Sequence, residues 1–186
     1  MFGIEWIIPG IIAVIIVAFI LMRNTLVTLR TRIDNAWAQI DVQLKRRTDL
    51  IPNLVETVKG YMKHEKTVLE NVTKARSAVM SAKGPKESAK AEASLAGALK
   101  TLFAVAESYP NLRATENFQM LQEELSGTES KIAYARQLYN DTVLEYNTKI
   151  QLIPWSIIAG MFQFVAREYF KTESAADRAP VKVKFD

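Results

Sequence analysis

The first 22 residues contain an apolar run that strongly constrains where this chain can fold. Residues 6–22 (WIIPGIIAVIIVAFILM) carry no charge, and Glu5 is the only charged residue before Arg23. As a helix, this run is roughly 25 Å long, close to the hydrocarbon thickness of a bilayer. A helix buried in a protein core is rarely apolar all round over such a length. We therefore predict a transmembrane anchor over residues 1–22, with anchor residues Trp6, Pro9, Phe19 and Arg23.

The charges that flank the run favour an uncleaved anchor with a defined orientation. A secretory signal begins with basic residues and ends at small ones, whereas here the first basic residue, Arg23, follows the run. Arg30 and Arg32 come next, before the first following acid at Asp34. Because cations concentrate on the cytoplasmic flank of a membrane helix, we expect the N-terminus outside and the rest of the chain in the cytoplasm. The lipid bilayer is thus the first expected partner.

Composition argues against several classes of function. The chain has no cysteine, so it has neither a disulfide framework nor a thiolate metal site. Its formal net charge is only +4, and residues 23–66 hold most of the excess, with nine Lys or Arg against five Asp or Glu. A nucleic-acid-binding face is more densely basic, so we expect no nucleic-acid partner.

Apolar spacing predicts an all-α body after the anchor. One stripe continues the anchor helix at steps of three or four residues, through Leu26, Leu29, Ile33, Trp37, Ile40 and Leu44. A second stripe over residues 54–79 ends at Gly84-Pro85, and an Ala-rich helix then runs to a turn at Tyr109-Pro110. With no alternating strand pattern, the chain is predicted to form a long antiparallel bundle of about four helices and a short C-terminal apolar helix.

A repeat of seven residues marks the last long helix, which is predicted to end near Pro154. Apolar and aromatic residues recur at Phe118, Leu125, Ile132, Tyr139 and Tyr146. Such a seam forms either the bundle's own core or a coiled coil between chains. We favour the core, and we keep self-association into a homo-oligomer as an expectation because the chain combines an anchor with extended helices.

Residues 150–166 (IQLIPWSIIAGMFQFVA) carry no charge but are too interrupted to cross a bilayer, since only about a dozen residues follow Pro154. They are predicted to form a short helix that packs on the end of the bundle or lies in a membrane interface. The candidate interface residues are Trp155, Phe162 and Phe164. We assign residues 23–172 to the cytoplasmic helical bundle and residues 173–186, which are small and charged, to a C-terminal tail.

The stretch at residues 41–61 (DVQLKRRTDLIPNLVETVKGY) is predicted to be a corner between two helices. Proline is tolerated in the first turn of a helix, which places Pro52 at a helix start with either Asp49 or Asn53 as its cap. Three cations then fall in the last turn of the preceding helix, where they oppose its dipole. The same residues are also a candidate partner-binding corner, formed by Lys45, Arg46, Arg47, Asp49 and Asn53.

No constellation of residues supports catalysis. His64 is the only histidine and lacks a second one four residues later, so the zinc-protease helix motif is absent. Phosphate-binding and nucleophile-elbow glycine motifs are absent as well. We therefore expect a protein that is not an enzyme, with no catalytic residue, metal, cofactor or small-molecule substrate.

Three segments resemble the signature of the LemA family. They are NAWAQIDVQLKRRTDLIPNLVETVKGY (residues 35–61), YPNLRATENFQMLQEEL (residues 109–125) and TESKIAYARQLYNDTVLEYN (residues 128–147). The resemblance implies a single-pass protein of the bacterial inner membrane with a cytoplasmic helical domain and no agreed biochemical activity. It supplies no catalytic residues. Family members are often encoded beside a membrane-embedded zinc metalloprotease, and one lies in magnetosome membranes.

Three functions follow as hypotheses. The first is a non-enzymatic, membrane-anchored helical scaffold that self-associates or docks on a membrane partner in envelope quality control. The second is an adaptor or regulator of a membrane-embedded zinc metalloprotease, with residues 45–47 as the contact. The third is an assembly protein that organises or shapes a membrane.

Overall fold

The computed structural model describes residues 6–171 and is helical over that range, with no strand. This confirms the predicted all-α class. Four longer helices correspond to the expected bundle, and a one-turn helix, α4, adds to them. The helices are α1 (Ile7–Lys59), α2 (Lys66–Ser81), α3 (Gly84–Ala106), α4 (Pro110–Arg113), α5 (Glu116–Lys149) and α6 (Trp155–Met161). The predicted tail at residues 173–186 lies outside the described residues.

The described chain divides into two compact units. The first unit comprises residues 6–42 and 131–169, and the second comprises residues 43–130 with residues 170 and 171. Both α1 and α5 therefore contribute residues to each unit. The division was not predicted from the sequence, because the apolar stripes run through residues 42 and 130 without a break.

The predicted corner at residues 45–53 is wrong, because α1 continues through it to Lys59 with Pro52 inside the helix. Pro52 has no N–H to donate to the carbonyl of Thr48, one turn earlier. That buried carbonyl instead accepts a hydrogen bond of 2.8 Å from Arg76 Nε on α2. An acceptor that proline would leave unpaired is thus satisfied from another helix, which offsets part of the cost of keeping α1 continuous.

We expect Arg76→Met to lower the free energy of unfolding by about 1–3 kcal/mol, because the Thr48 carbonyl then loses its donor. Pro52→Ala restores a backbone N–H within reach of that carbonyl, so the cost of Arg76→Met should be smaller in the Pro52→Ala background. Urea unfolding of the four proteins of this double-mutant cycle measures the difference. An equal cost of Arg76→Met in both backgrounds would show that the two residues do not share the carbonyl.

The second unit contains a hairpin of two helices whose turn lies at Gly84-Pro85, as predicted, although residues 54–59 of the predicted second helix belong to α1. Only residues 82 and 83 separate α2 from α3, so the two helices are antiparallel neighbours. Gly84 takes a φ of 75°, which suits glycine at this turn, and Pro85 occupies the first turn of α3. The facing sides are apolar, with buried residues Leu69, Val72, Val79, Leu95, Leu99 and Leu102.

The heptad seam of α5 lies inside this chain's own fold. Its five members are each at most 3 % exposed, namely Phe118, Leu125, Ile132, Tyr139 and Tyr146. In the second unit Phe103 meets Phe118 edge-on at 6.0 Å, and in the first unit Trp37 meets Tyr139 at 5.8 Å. The core interpretation of the seam is therefore confirmed.

Candidate membrane-contact site

Among residues 6–171, α1 is the one helix that is long and apolar enough to cross a membrane. Its N-terminal part exposes apolar side chains on every side: Ile8 is 60 % and Val14 is 69 % exposed. Trp6, just before α1, is 74 % exposed, and Pro9 is exposed in its first turn. More than half of the surface of Trp6, Ile8 and Val14 is exposed within the described residues, as expected of a lipid-facing surface.

The residues on either side of the short helix α6 determine where it begins and ends. Pro154 precedes it, and Gln163 follows it with a φ of 56°. The backbone N–H groups of Gln163 and Phe164 reach back to the carbonyls of Gly160 and Ala159, at 3.4 and 2.9 Å. This pattern closes the C-terminus of α6 and turns the chain away, with Phe164 packed back on the helix.

Inside the first unit, α6 packs on the part of α1 that directly follows the apolar run. Leu26, Ile158 and Ala159 are buried together and form the centre of the contact. Five partly buried apolar residues surround them: Phe19, Met22, Ile150, Trp155 and Phe164. The predicted anchor residue Phe19 and the predicted interface residues Trp155 and Phe164 thus lie in one cluster.

The other side of α6 and its flanking turns expose apolar side chains. We call these residues the α6 patch; they are Leu152, Ile153, Ile157, Met161, Phe162 and Val165. Their exposure ranges from 42 % at Phe162 to 83 % at Ile153. Contiguous exposed apolar groups of this kind mark contacts with proteins or membranes. The patch continues the surface of α1, because the Phe162 and Phe19 rings lie 5.9 Å apart.

Two cations lie against the aromatic side chains of this region. The Arg23 guanidinium carbon is 5.0 Å from the centre of the Phe162 ring, and Lys149 Nζ is 5.6 Å from the Trp155 ring. Lys149 also pairs with Glu145 at 2.9 Å. Cations and aromatic rings together are typical of the level at which a protein passes from hydrocarbon to lipid headgroups.

The segment after α6, residues 164–168, is fixed to α5 by side-chain hydrogen bonds. Tyr146 Oη donates to the Val165 carbonyl at 3.1 Å, and Tyr139 Oη donates to the Glu168 carbonyl at 2.8 Å. Asn147 both donates to the Arg167 carbonyl and accepts from the Arg167 N–H, at 2.9 and 2.8 Å. These bonds fix the chain directly after α6 and so help to hold α6 in its place.

The two tyrosines act as hydrogen-bond donors because they remain protonated. Burial raises the pKa of both the Tyr139 and Tyr146 hydroxyls above the ordinary value of 10.0, and the nearby Arg167 cation opposes the rise. At neutral pH each hydroxyl therefore keeps the proton that it donates. The heptad spacing predicted that these side chains are buried, but it could not predict that they donate to the carbonyls of Glu168 and Val165.

Four of the five residues of the predicted partner-binding corner are exposed on α1, and the fifth, Arg47, is buried. Arg47 is 2 % exposed; its Nη1 lies 2.8 Å from Glu92 Oε1 and its Nη2 lies 3.4 Å from Glu129 Oε2. Arg46 is exposed and pairs with Glu124 at 2.6 Å. The remaining members, Lys45, Asp49 and Asn53, are exposed on α1. Arg47 therefore belongs to the interior, and a partner-binding role stays a prediction for the other four.

Within residues 6–171, no group of three or more His, Cys, Asp or Glu side chains could hold a metal ion. The polar groups of the site described above include cations on aromatic rings, two ion pairs, two tyrosines and Asn147. Exposed apolar side chains with cations beside them can bind a membrane surface. The hydrogen bonds of Asn147 and the ion pair of 2.7 Å between Arg167 and Asp34 could not be predicted from the sequence, since no spacing rule links these residues.

Comparison with known proteins gives relatives in Paramagnetospirillum, Magnetospirillum and Metamycoplasma species. The chain is 27 % identical to Magnetosome protein MamQ 2 of Paramagnetospirillum magneticum, over 87 % of this chain and 69 % of that protein. Magnetosome protein MamQ of Magnetospirillum gryphiswaldense is also 27 % identical, over 87 % of this chain and 71 % of its own length. Protein LemA of Metamycoplasma hominis is 28 % identical, over 69 % of this chain and 59 % of that protein.

The names of these relatives state no enzymatic activity. The sequence model of one family matches residues 36–185, which include most of α1 beyond the apolar run and all of the later helices. This match spans far more than half of the 186 residues. On that evidence, the chain belongs to the LemA family.

Proposed function

We propose that this protein is a non-enzymatic, membrane-anchored helical scaffold. In this proposal, the N-terminal part of α1 crosses the bilayer and the α6 patch lies in the membrane interface beside it. The scaffold then presents its remaining helices to partner proteins or to further copies of itself. The proposal is one of binding and positioning, and it assigns no chemical step to any side chain.

The observation that carries the proposal is the continuity of the apolar surface between α1 and α6. Leu26, at the centre of the α6 contact, follows the last residue of the apolar run by four positions, about 6 Å along the helix. The α6 patch, in which Ile153 is 83 % exposed, therefore lies next to the point at which α1 would leave the hydrocarbon. Water contact with these side chains is costly, and an interface would remove it.

The orientation belongs to the proposal as well. Arg23, Arg30 and Arg32 follow the apolar run closely, and cations of this kind remain on the cytoplasmic side. We therefore place the N-terminus outside and the helical units in the cytoplasm, with the protein in the bacterial inner membrane. The Arg23 cation over the Phe162 ring supports a membrane interface at this end of the apolar run.

The experiment measures whether Trp155 lies at the membrane surface. A Trp6→Phe, Trp37→Phe variant leaves Trp155 as the only tryptophan, and it is reconstituted into vesicles whose lipids are brominated either near the headgroup or near the chain end. We expect strong fluorescence quenching by the shallow bromines and weaker quenching by the deep ones, because the ring would lie just below the headgroups.

The matched control keeps Trp37 as the only tryptophan, through Trp6→Phe and Trp155→Phe. Trp37 lies about 20 Å beyond Arg23 along α1, and its fluorescence should change little with either lipid. Equal quenching of the two variants, or none for Trp155, would contradict the interfacial position of α6.

A second candidate function, the organisation or shaping of a membrane, is favoured by the relatives named magnetosome proteins. It uses the same geometry, because an amphipathic segment that inserts into one leaflet beside an anchor also bends or orders that leaflet. A third alternative is an adaptor of a membrane-embedded zinc metalloprotease, in which the exposed residues Lys45 and Arg46 contact the protease.

A further inference from the structure

A groove lies in the second unit between the end of α1 and one face of α2. Its volume is about 720 Å³, within the range of ligand sites. The α2 side is built from Lys66, Leu69, Glu70, Thr73, Lys74 and Ser77, which recur at steps of three and four and therefore share one helix face. On the other side are Val55 and Lys59 of α1, followed by Met62 and Lys63 of the turn.

The floor of this groove is apolar and recessed. Met62 is 1 % and Leu69 is 8 % exposed, and Val55 is half-buried. A flat surface such as a bilayer would meet protruding apolar groups, as on the α6 patch, and could not reach side chains this deep. The shape instead suits a convex apolar ridge that enters between two walls.

The rim of the groove is strongly cationic. Four lysines line it, Lys59, Lys63, Lys66 and Lys74, against the single acid Glu70. None of the four has an ion pair within residues 6–171, whereas Arg46, Lys149 and Arg167 each pair with a carboxylate. Four lysines and one glutamate leave the lining with an excess of positive charge, which favours an acidic ligand.

The length of the groove indicates the size of that ligand. The lining face of α2 extends from Lys66 to Ser77, about 17 Å or three helical turns. A helix of similar length presents an apolar ridge at positions i, i+3, i+4 and i+7, which fits a recessed apolar floor. Carboxylates on its flanks would face the lysines.

We propose that this groove binds an amphipathic helix of a partner protein whose apolar ridge is flanked by Asp and Glu. Val55 and Leu69 contact the ridge, and the four lysines select the acidic flanks and set the orientation. The site goes beyond anchoring and does not depend on the α6 patch, because every residue that lines it belongs to the second unit.

The test uses the full chain in nanodiscs of uncharged phosphatidylcholine, with a fluorescent, stapled helix of about 14 residues as the probe. The probe carries leucines on one face and glutamates beside them. We expect saturable binding that weakens with added salt, and we expect the triple variant Lys59→Glu, Lys66→Glu, Lys74→Glu to lower the affinity by at least about tenfold. Circular dichroism checks that the variant keeps its helicity.

A second triple variant, Lys90→Glu, Lys100→Glu, Lys131→Glu, changes the net charge equally at exposed positions outside the groove. It should bind the probe nearly as well as the unmodified protein. An equal loss in both triples would mean unspecific attraction and would overturn the proposal. So would tight binding of a matched probe with lysines in place of glutamates. If vesicles of anionic lipid compete with the probe for these lysines, the face is a lipid site instead.

Discussion

Replacing Arg47 by methionine is expected to lower the free energy of unfolding of the second unit by about 3–5 kcal/mol, the cost of breaking a buried ion pair from one side. The guanidinium is 2 % exposed and lies 2.8 Å from a Glu92 carboxylate that is itself 11 % exposed. Methionine keeps the apolar part of the side chain but removes the cation that neutralises Glu92. The mostly buried Glu92 carboxylate then loses both the hydrogen bond and the opposite charge that Arg47 supplies.

The matched control is Arg46→Met, one position earlier on the same helix. Arg46 and Glu124 are 49 % and 45 % exposed, so their pair is screened by water and should contribute at most about 1 kcal/mol. Denaturant unfolding followed by circular dichroism measures both changes, and amide exchange in α3 reports whether the second unit is the part that opens. Similar costs at the two positions would contradict the burial of Arg47.

A double variant separates the charge from the packing. With Glu92→Met added to Arg47→Met, the carboxylate that had faced the Arg47 guanidinium is removed as well, and two apolar side chains of similar length occupy the contact. Replacement of a buried ion pair by apolar residues is often neutral, so much of the lost stability should return. If the double variant is less stable than Arg47→Met alone, the other interactions of Glu92 outweigh its pairing with Arg47.

Apolar spacing predicted which residues of the helices would be buried. Leu26, Ile40 and Leu44 are all buried on α1, as their steps of three and four residues indicated. The same holds for the seam on α5. Burial of one face is the main free-energy gain of each helix, so the period of the apolar residues contains most of the information about the core.

The end of the first helix could not be predicted, because the decisive interactions are not local. Pro52 indicates a helix start only if the Thr48 carbonyl has no other donor. Arg76, 28 positions later in the chain, supplies one. Likewise, the local sequence around Arg47 indicates only a cation near a helix terminus. Its partners Glu92 and Glu129 are 45 and 82 positions away in the chain.

The contact site was predicted in part. The uncharged stretch at residues 150–166 and its Pro154 indicated a short apolar helix, and α6 lies where that pattern placed it. Its two faces could not be assigned, because seven residues are too few for a clear period. The hydrogen bonds that Asn147 makes to Arg167, 20 positions away, were not predictable from spacing.

Leu26→Ala is expected to have the second large effect, since it removes a fully buried side chain from the centre of the contact between α1 and α6. The side chain is 0 % exposed and packs with Ile158 and Ala159. Loss of a buried leucine to alanine costs about 2–5 kcal/mol, depending on how far the cavity collapses. The adjacent Val27 is 38 % exposed, so Val27→Ala is the matched control and should cost under about 1 kcal/mol.

The same variant tests whether α1 alone determines the membrane contact. The apolar run at residues 6–22 is unchanged in Leu26→Ala, so a single-tryptophan protein that retains Trp6 should be quenched by brominated lipids as before. Trp155, partly buried against the Leu26 cluster, should be quenched less once α6 no longer packs firmly on α1. If quenching of Trp155 is unchanged while stability falls, α6 binds the bilayer by its own apolar side chains and does not require α1 to position it.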